Sequence, residues 1–97
     1  MLLIMTISKD DKQKILIVDD EPDITTALKM YLELQGFHVD AFTDPANALA
    51  QFKAGFYHLL ILDIKMPEMN GFKLYKEIKK KDKTVKVFFL TGSKRDA

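Results

Sequence analysis

The chain has no cysteine. Disulfides and thiolate metal sites are therefore excluded, and a reducing cytoplasm, the expected location, is allowed. Long apolar runs are missing too. Residues 1–7 (Met-Leu-Leu-Ile-Met-Thr-Ile) are apolar but far short of the roughly 20 residues a membrane-spanning helix needs. They also lack the basic segment and small-residue cleavage site of a secretion signal. Charge of one sign is not in excess: the net charge is +1, so bulk electrostatics point to no polyanionic partner. No internal repeat or low-complexity stretch is present. What is there, 97 residues of which 47% are hydrophobic, suits a single domain with one core. Residues 1–13 read as an extension ending in a polar linker, with residues 1–7 either a leader or an extra strand. Residues 14–97 read as the domain.

The domain is organised around His58-Leu59-Leu60-Ile61-Leu62-Asp63. A run apolar at successive positions is buried on both faces, as in a central parallel strand. Functional groups of open parallel α/β sheets stand just outside the carboxyl ends of the strands, where Asp63 falls. An acid there could equally end the strand or cap the next helix. A second apolar run, Lys14-Ile15-Leu16-Ile17-Val18, leads into Asp19-Asp20-Glu21-Pro22. With both strands central and parallel, Asp19, Asp20 and Asp63 converge on one edge. Crowded carboxylates repel one another, and a hard divalent cation such as magnesium, which takes oxygen ligands, removes the conflict.

The intervening segments read as helices. Pro22 suits a first helical position, and Ile24, Ala27, Leu28, Tyr31 and Leu32 recur at helical spacing before Gly36 stops the helix. Residues 37–42 alternate like an edge strand, with His38 facing solvent. Asp44-Pro45 reads as cap and first residue of a second helix through Ala48, Leu49 and Phe52, ended by Gly55. Asn70-Gly71 opens a third helix on Phe72, Leu74, Tyr75 and Ile78. Its other side carries Lys73, Lys76, Lys79, Lys80, Lys81 and Lys83. Without interleaved aromatic residues these lysines read as a solvated face and not as a nucleic-acid surface. Residues 85–90 form a fourth strand ending at Thr91. His58 begins its strand, on the edge opposite Asp63, which argues against a catalytic role.

Residues 15–21 (Ile-Leu-Ile-Val-Asp-Asp-Glu), residues 60–63 (Leu-Ile-Leu-Asp), Met66-Pro67 with Asn70-Gly71, and Leu90-Thr91-Gly92 stand in an order that resembles the receiver domain of two-component response regulators. The resemblance implies a doubly wound, flavodoxin-like α/β fold with strand order 2-1-3-4. It implies that Asp63 accepts a phosphoryl group from a sensor histidine kinase or phosphotransfer protein. Magnesium is then held by Asp20 and Asp63, with Asp19 helping through water and the Lys65 carbonyl as a further ligand. Thr91 matches the switch hydroxyl that bonds the phosphoryl group. Such a domain is a phosphoacceptor and not an enzyme, beyond self-catalysed transfer and hydrolysis.

The chain departs from the family pattern in stopping after the fourth strand. No residue matches the fifth-strand lysine that pairs with the phosphoryl group, so labelling of Asp63 is expected to be slow, by roughly ten- to a hundredfold. Lys94 is a local substitute or simply a solvated lysine. Without a fifth helix, apolar residues of strands one and three are expected to lose cover, and the bare edge of strand four invites homo-oligomers. The alternative is a non-signalling interaction module of the same fold. A magnesium-dependent phosphatase with an aspartyl nucleophile fits less well, because such enzymes place a second acid two residues on, where this chain has Lys65.

Overall fold

The protein is represented by a computed structural model that describes residues 12–91. The expected extra strand at residues 1–7, Gly92 and Lys94 lie outside the described residues. Elements follow in the order β1 (Lys14–Val18), α1 (Pro22–Leu34), β2 (His38–Phe42), α2 (Pro45–Gln51), β3 (Leu59–Asp63), α3 (Gly71–Lys81) and β4 (Lys86–Leu90). The four strands are parallel in the order β2-β1-β3-β4, the order expected. Among the described residues no helix is long and apolar enough to cross a membrane.

Alternation along each strand sorts its side chains between two layers. Leu16, Val18, Leu60 and Leu62 pack with Ala48 of α2 and with Leu74 and Ile78 of α3. Ile15, Ile17, Val39 and Ile61 pack on the other face, against Leu28 and Leu32 of α1. Leu16, Ile17, Leu60 and Leu62 are wholly buried. Truncating such a leucine to alanine costs about 2–5 kcal/mol, so the two central strands that carry the acids are also the most firmly held.

Loss of cover takes a different form from the one expected. Ile15, Ile17 and Ile61 stay buried, and the exposed apolar residue of the sheet is Phe88 on β4, at 59%. Helix α1 also divides its apolar residues. Leu28 and Leu32 meet the sheet, whereas Ile24, Tyr31 and Leu34 remain exposed. One helix touches a sheet through a single stripe, so the second stripe at the same period finds no sheet beneath it.

The helix ends follow local chemistry. Gly36, at φ 101°, accepts the left-handed turn that ends α1, with its N–H donating to Glu33 and that of Phe37 to Leu32. The carboxylate of Asp44 accepts from the Ala46 N–H, and the Asn70 side chain accepts from the Lys73 N–H. Helix α2 stops at Gln51, earlier than the Gly55 stop expected, because Phe52 turns extended and stacks on Tyr57.

Two long-range bonds close the loops at the amino edge of the sheet. The Tyr57 hydroxyl donates to Asp40 at 2.6 Å; burial, then this bond and the Asp40 charge, push the phenol above its ordinary value. Asp82 accepts from the Gly55 N–H and from the N–H and hydroxyl of Thr84. The Gly55 bond, with those from Thr84, holds its carboxyl below the usual carboxylate range. His38 keeps 43% of its side chain exposed, facing solvent as expected, while lying 3.5 Å from Asp40 and edge-on to Phe56.

Candidate functional site

Parallel strands end on the same side, and the sheet order sets β1 beside β3 there. Asp19 follows β1 directly, and its N–H continues the ladder to Phe42. Asp63 is the last residue of β3. The two are almost wholly buried, at 3% and 0% exposure, while Asp20 is half-buried. Ligand oxygens of Asp19, Asp20 and Asp63 lie within 4.8 Å of one another. Opposite ligands of one magnesium are about 4 Å apart, twice its bond length. The cluster is slightly wider than that, a width that one ion meeting some of the acids through water spans, and its donors are the hard carboxylate oxygens such an ion takes.

Backbone groups orient these acids. Asp19 Oδ1 accepts from the Glu21 N–H at 2.9 Å, which ties the acid to the start of α1. Asp63 Oδ1 accepts from the Lys65 N–H at 3.2 Å. Lys65 thus touches Asp63 through its amide, and its side chain is exposed. Leu90 pairs with Asp63 in register, so Thr91, exposed and one residue further on, stands at the same edge. The structure brings the three acids together and places Lys65 and Thr91 beside them.

The loop from β3 to α3 is held tightly under Asp63. Residues 67–69 make a three-residue turn, with the Met69 N–H donating to the Pro67 carbonyl and Glu68 at φ 69°, a strained backbone state for a non-glycine residue. Gly71 then passes so close that a Cβ would run into the carbonyl oxygen of Asp63, and it would also lie 3.0 Å from that carbonyl carbon and 3.2 Å from Ile64 Cα. Its N–H donates to the Ile64 carbonyl at 3.0 Å. Sequence reasoning treated Gly71 as a helix start and missed this role. The signal available was an Asn-Gly pair soon after an acid that ends a strand.

Comparison with known proteins bears on this arrangement. The family model for the response regulator receiver domain matches residues 15–97. Sensor protein EvgS of Escherichia coli K12 is 37% identical over 87 residues, covering 90% of this chain, and the chain spans only 7% of its length. The response regulator protein TrrA from Thermotoga maritima, solved in complex with Mg(2+)-BeF, is 41% identical with a TM-score of 0.76, over 84% of this chain and 71% of that one. TrrA in complex with the histidine kinase ThkA gives 40% identity and a TM-score of 0.73, over 88% of this chain and 75% of that one. By its sequence from residue 15 onward and by the sheet that gathers its acids, the chain belongs to the response regulator receiver domain family.

Proposed function

We propose that this domain is a phosphoacceptor in two-component signalling and that Asp63 receives the phosphoryl group from a histidine kinase or phosphotransfer protein. The observation that carries this reading is the grouping of Asp19, Asp20 and Asp63 within 4.8 Å at the carboxyl edge. The kinase complex of the related TrrA supports a kinase as partner, and its complex with Mg(2+)-BeF supports magnesium. Asp20 and Asp63 would hold the ion directly and Asp19 through water, with the Lys65 carbonyl as a further ligand. When bound, magnesium neutralises charge on the phosphoryl oxygens.

The chain's own part is mainly position. A carboxylate oxygen of Asp63 attacks phosphorus as the bond to the donor histidine nitrogen breaks, and that nitrogen keeps the electron pair. The Lys65 amide fixes the carboxylate, and the Thr91 hydroxyl would hydrogen-bond the transferred group. The domain acts as an acceptor and not as an enzyme on other molecules, in the cytoplasm, without direct contact to nucleic acid. The exposed Phe88 on β4 supports association of copies along that edge. Incubation with acetyl phosphate, read by intact mass, tests the reading. One phosphoryl group per chain is expected, dependent on magnesium and absent in Asp63→Asn. Equal labelling of Asp63→Asn would overturn it.

A further inference from the structure

The amino edge of the sheet, opposite the acids, carries a cleft of about 340 Å³ lined by Gln13, Gly55, Tyr57, His58, Thr84 and Lys86. That is the small end of the range for ligand sites. We propose that this cleft binds a phosphate-class oxyanion through His58 and Lys86.

Three observations carry it. First, His58 is fixed as a donor. Its Nδ1 accepts the Lys14 N–H at 2.9 Å, which requires a lone pair there, so the neutral ring carries its hydrogen on Nε2. The backbone holds the ring in place: the His58 N–H donates to Lys14 and the His58 carbonyl accepts from Lys86. That last bond also sets Lys86 beside His58, in a cleft whose lining, among the described residues, contains no carboxylate.

Second, the acids nearest the cleft are engaged elsewhere. Both oxygens of Asp82 are taken by Gly55 and Thr84, and Asp40 holds the Tyr57 hydroxyl and faces His38. Both keep their negative charge, but among the described residues of this edge the lysines, Lys12, Lys14, Lys53, Lys83 and Lys86, outnumber them. Third, the same edge gathers further positive charge. Lys14 and Lys53 both lie over the Phe56 ring, at 5.3 and 4.6 Å from its centre, and Lys12 and Lys83 flank them in the adjoining segments. Among the described residues, Asp19, Asp20 and Asp63 gather at one edge of the sheet and these lysines at the other. His58 and Lys86 both line the cleft, so a doubly charged oxyanion bound there would draw on a rigid neutral donor and a flexible cation.

The test is a titration of the full chain with inorganic phosphate, in EDTA and at constant ionic strength, followed through amide resonances at a pH above the ordinary imidazole range. Saturable shifts at Lys14, His58 and Lys86 are expected. Lys86→Met should weaken binding about tenfold or more. His58→Asn keeps an acceptor for the Lys14 N–H but loses the Nε2 donor, and should weaken binding severalfold with the fold intact. Lys76→Met, on the exposed side of α3, should leave binding unchanged. Phenyl phosphate binding more tightly than inorganic phosphate would support a phosphomonoester as ligand; equal or weaker binding would support the free oxyanion. Non-saturating shifts, equal shifts with chloride, or equal weakening by Lys76→Met would overturn the proposal.

Discussion

Replacing Gly71 by alanine tests how closely the phosphoacceptor strand and α3 are joined. At an unstrained exposed helix position the change would stabilise the protein by about 0.4–1 kcal/mol, through lower unfolded-state entropy and better helix propensity. Gly71 is not such a position. The added Cβ would meet the Asp63 carbonyl oxygen and carbon and Ile64 Cα, all of them backbone atoms that cannot rotate away. Overpacking of this kind costs about 1–3 kcal/mol. If the chain moves to relieve it, the Gly71 bond to the Ile64 carbonyl weakens, adding roughly 0.5–1.5 kcal/mol. The clash therefore wins, and Gly71→Ala should lose roughly 1–4 kcal/mol. A loss near 2 kcal/mol lowers the melting temperature by about 8–16 °C in a domain of this size. Circular dichroism melts of both chains give the answer, with Gly55→Ala as a comparison. Gly55 has open space around it but φ 77°, so its cost is backbone strain alone, about 1–2 kcal/mol. A Gly71→Ala chain that melts at or above the parent temperature would refute the close approach of α3 to Asp63.

Magnesium at ten times its dissociation constant should stabilise the native chain by about 1.4 kcal/mol, and melts of Asp20→Ala should lose that shift; an undiminished shift in the variant would place the ion elsewhere. Tyr57→Phe removes a bond to a half-exposed carboxylate and should cost about 1.5 kcal/mol in urea unfolding. Because the folded phenol is raised, the parent keeps this contribution below the ordinary phenol pKa and loses it as pH rises through the folded value, and Tyr57→Phe should lack that alkaline loss. Asp82 has a lowered carboxyl, so its contribution is whole above the ordinary carboxylate range and is lost as pH falls through the folded value. Asp82→Asn should flatten that part of the acid limb of a stability-versus-pH curve.

The parts of the fold legible in sequence are those that repeat along the chain. The apolar runs of β1 and β3 declare burial on both faces, and each ends in an acid, so the carboxyl-edge cluster follows once the strands are parallel. The Asp44 and Asn70 caps were legible because the capping residue stands beside the helix it serves. Contacts between distant residues leave no such period. Nothing near Tyr57 announces Asp40, and nothing near Gly55 announces Asp82. The divided apolar face of α1 was illegible for a related reason. Helical spacing groups Ile24, Leu28, Tyr31 and Leu32 together, and only the placement of the sheet decides that Leu28 and Leu32 are covered while Tyr31 is not. The approach of Gly71 to Asp63 likewise depends on how the loop between them folds back.

The acceptor itself can be read directly. An aspartyl phosphate is an acyl phosphate, and borohydride reduces it to homoserine, which marks the modified residue. The chain is treated with acetyl phosphate and magnesium, reduced, digested and sequenced by mass spectrometry. Homoserine at position 63, present with magnesium and absent with EDTA, is the result predicted. Homoserine at position 19 or 20, or an unmodified Asp63 in a chain that has gained a phosphoryl group, would contradict the assignment of Asp63 as the phosphoacceptor.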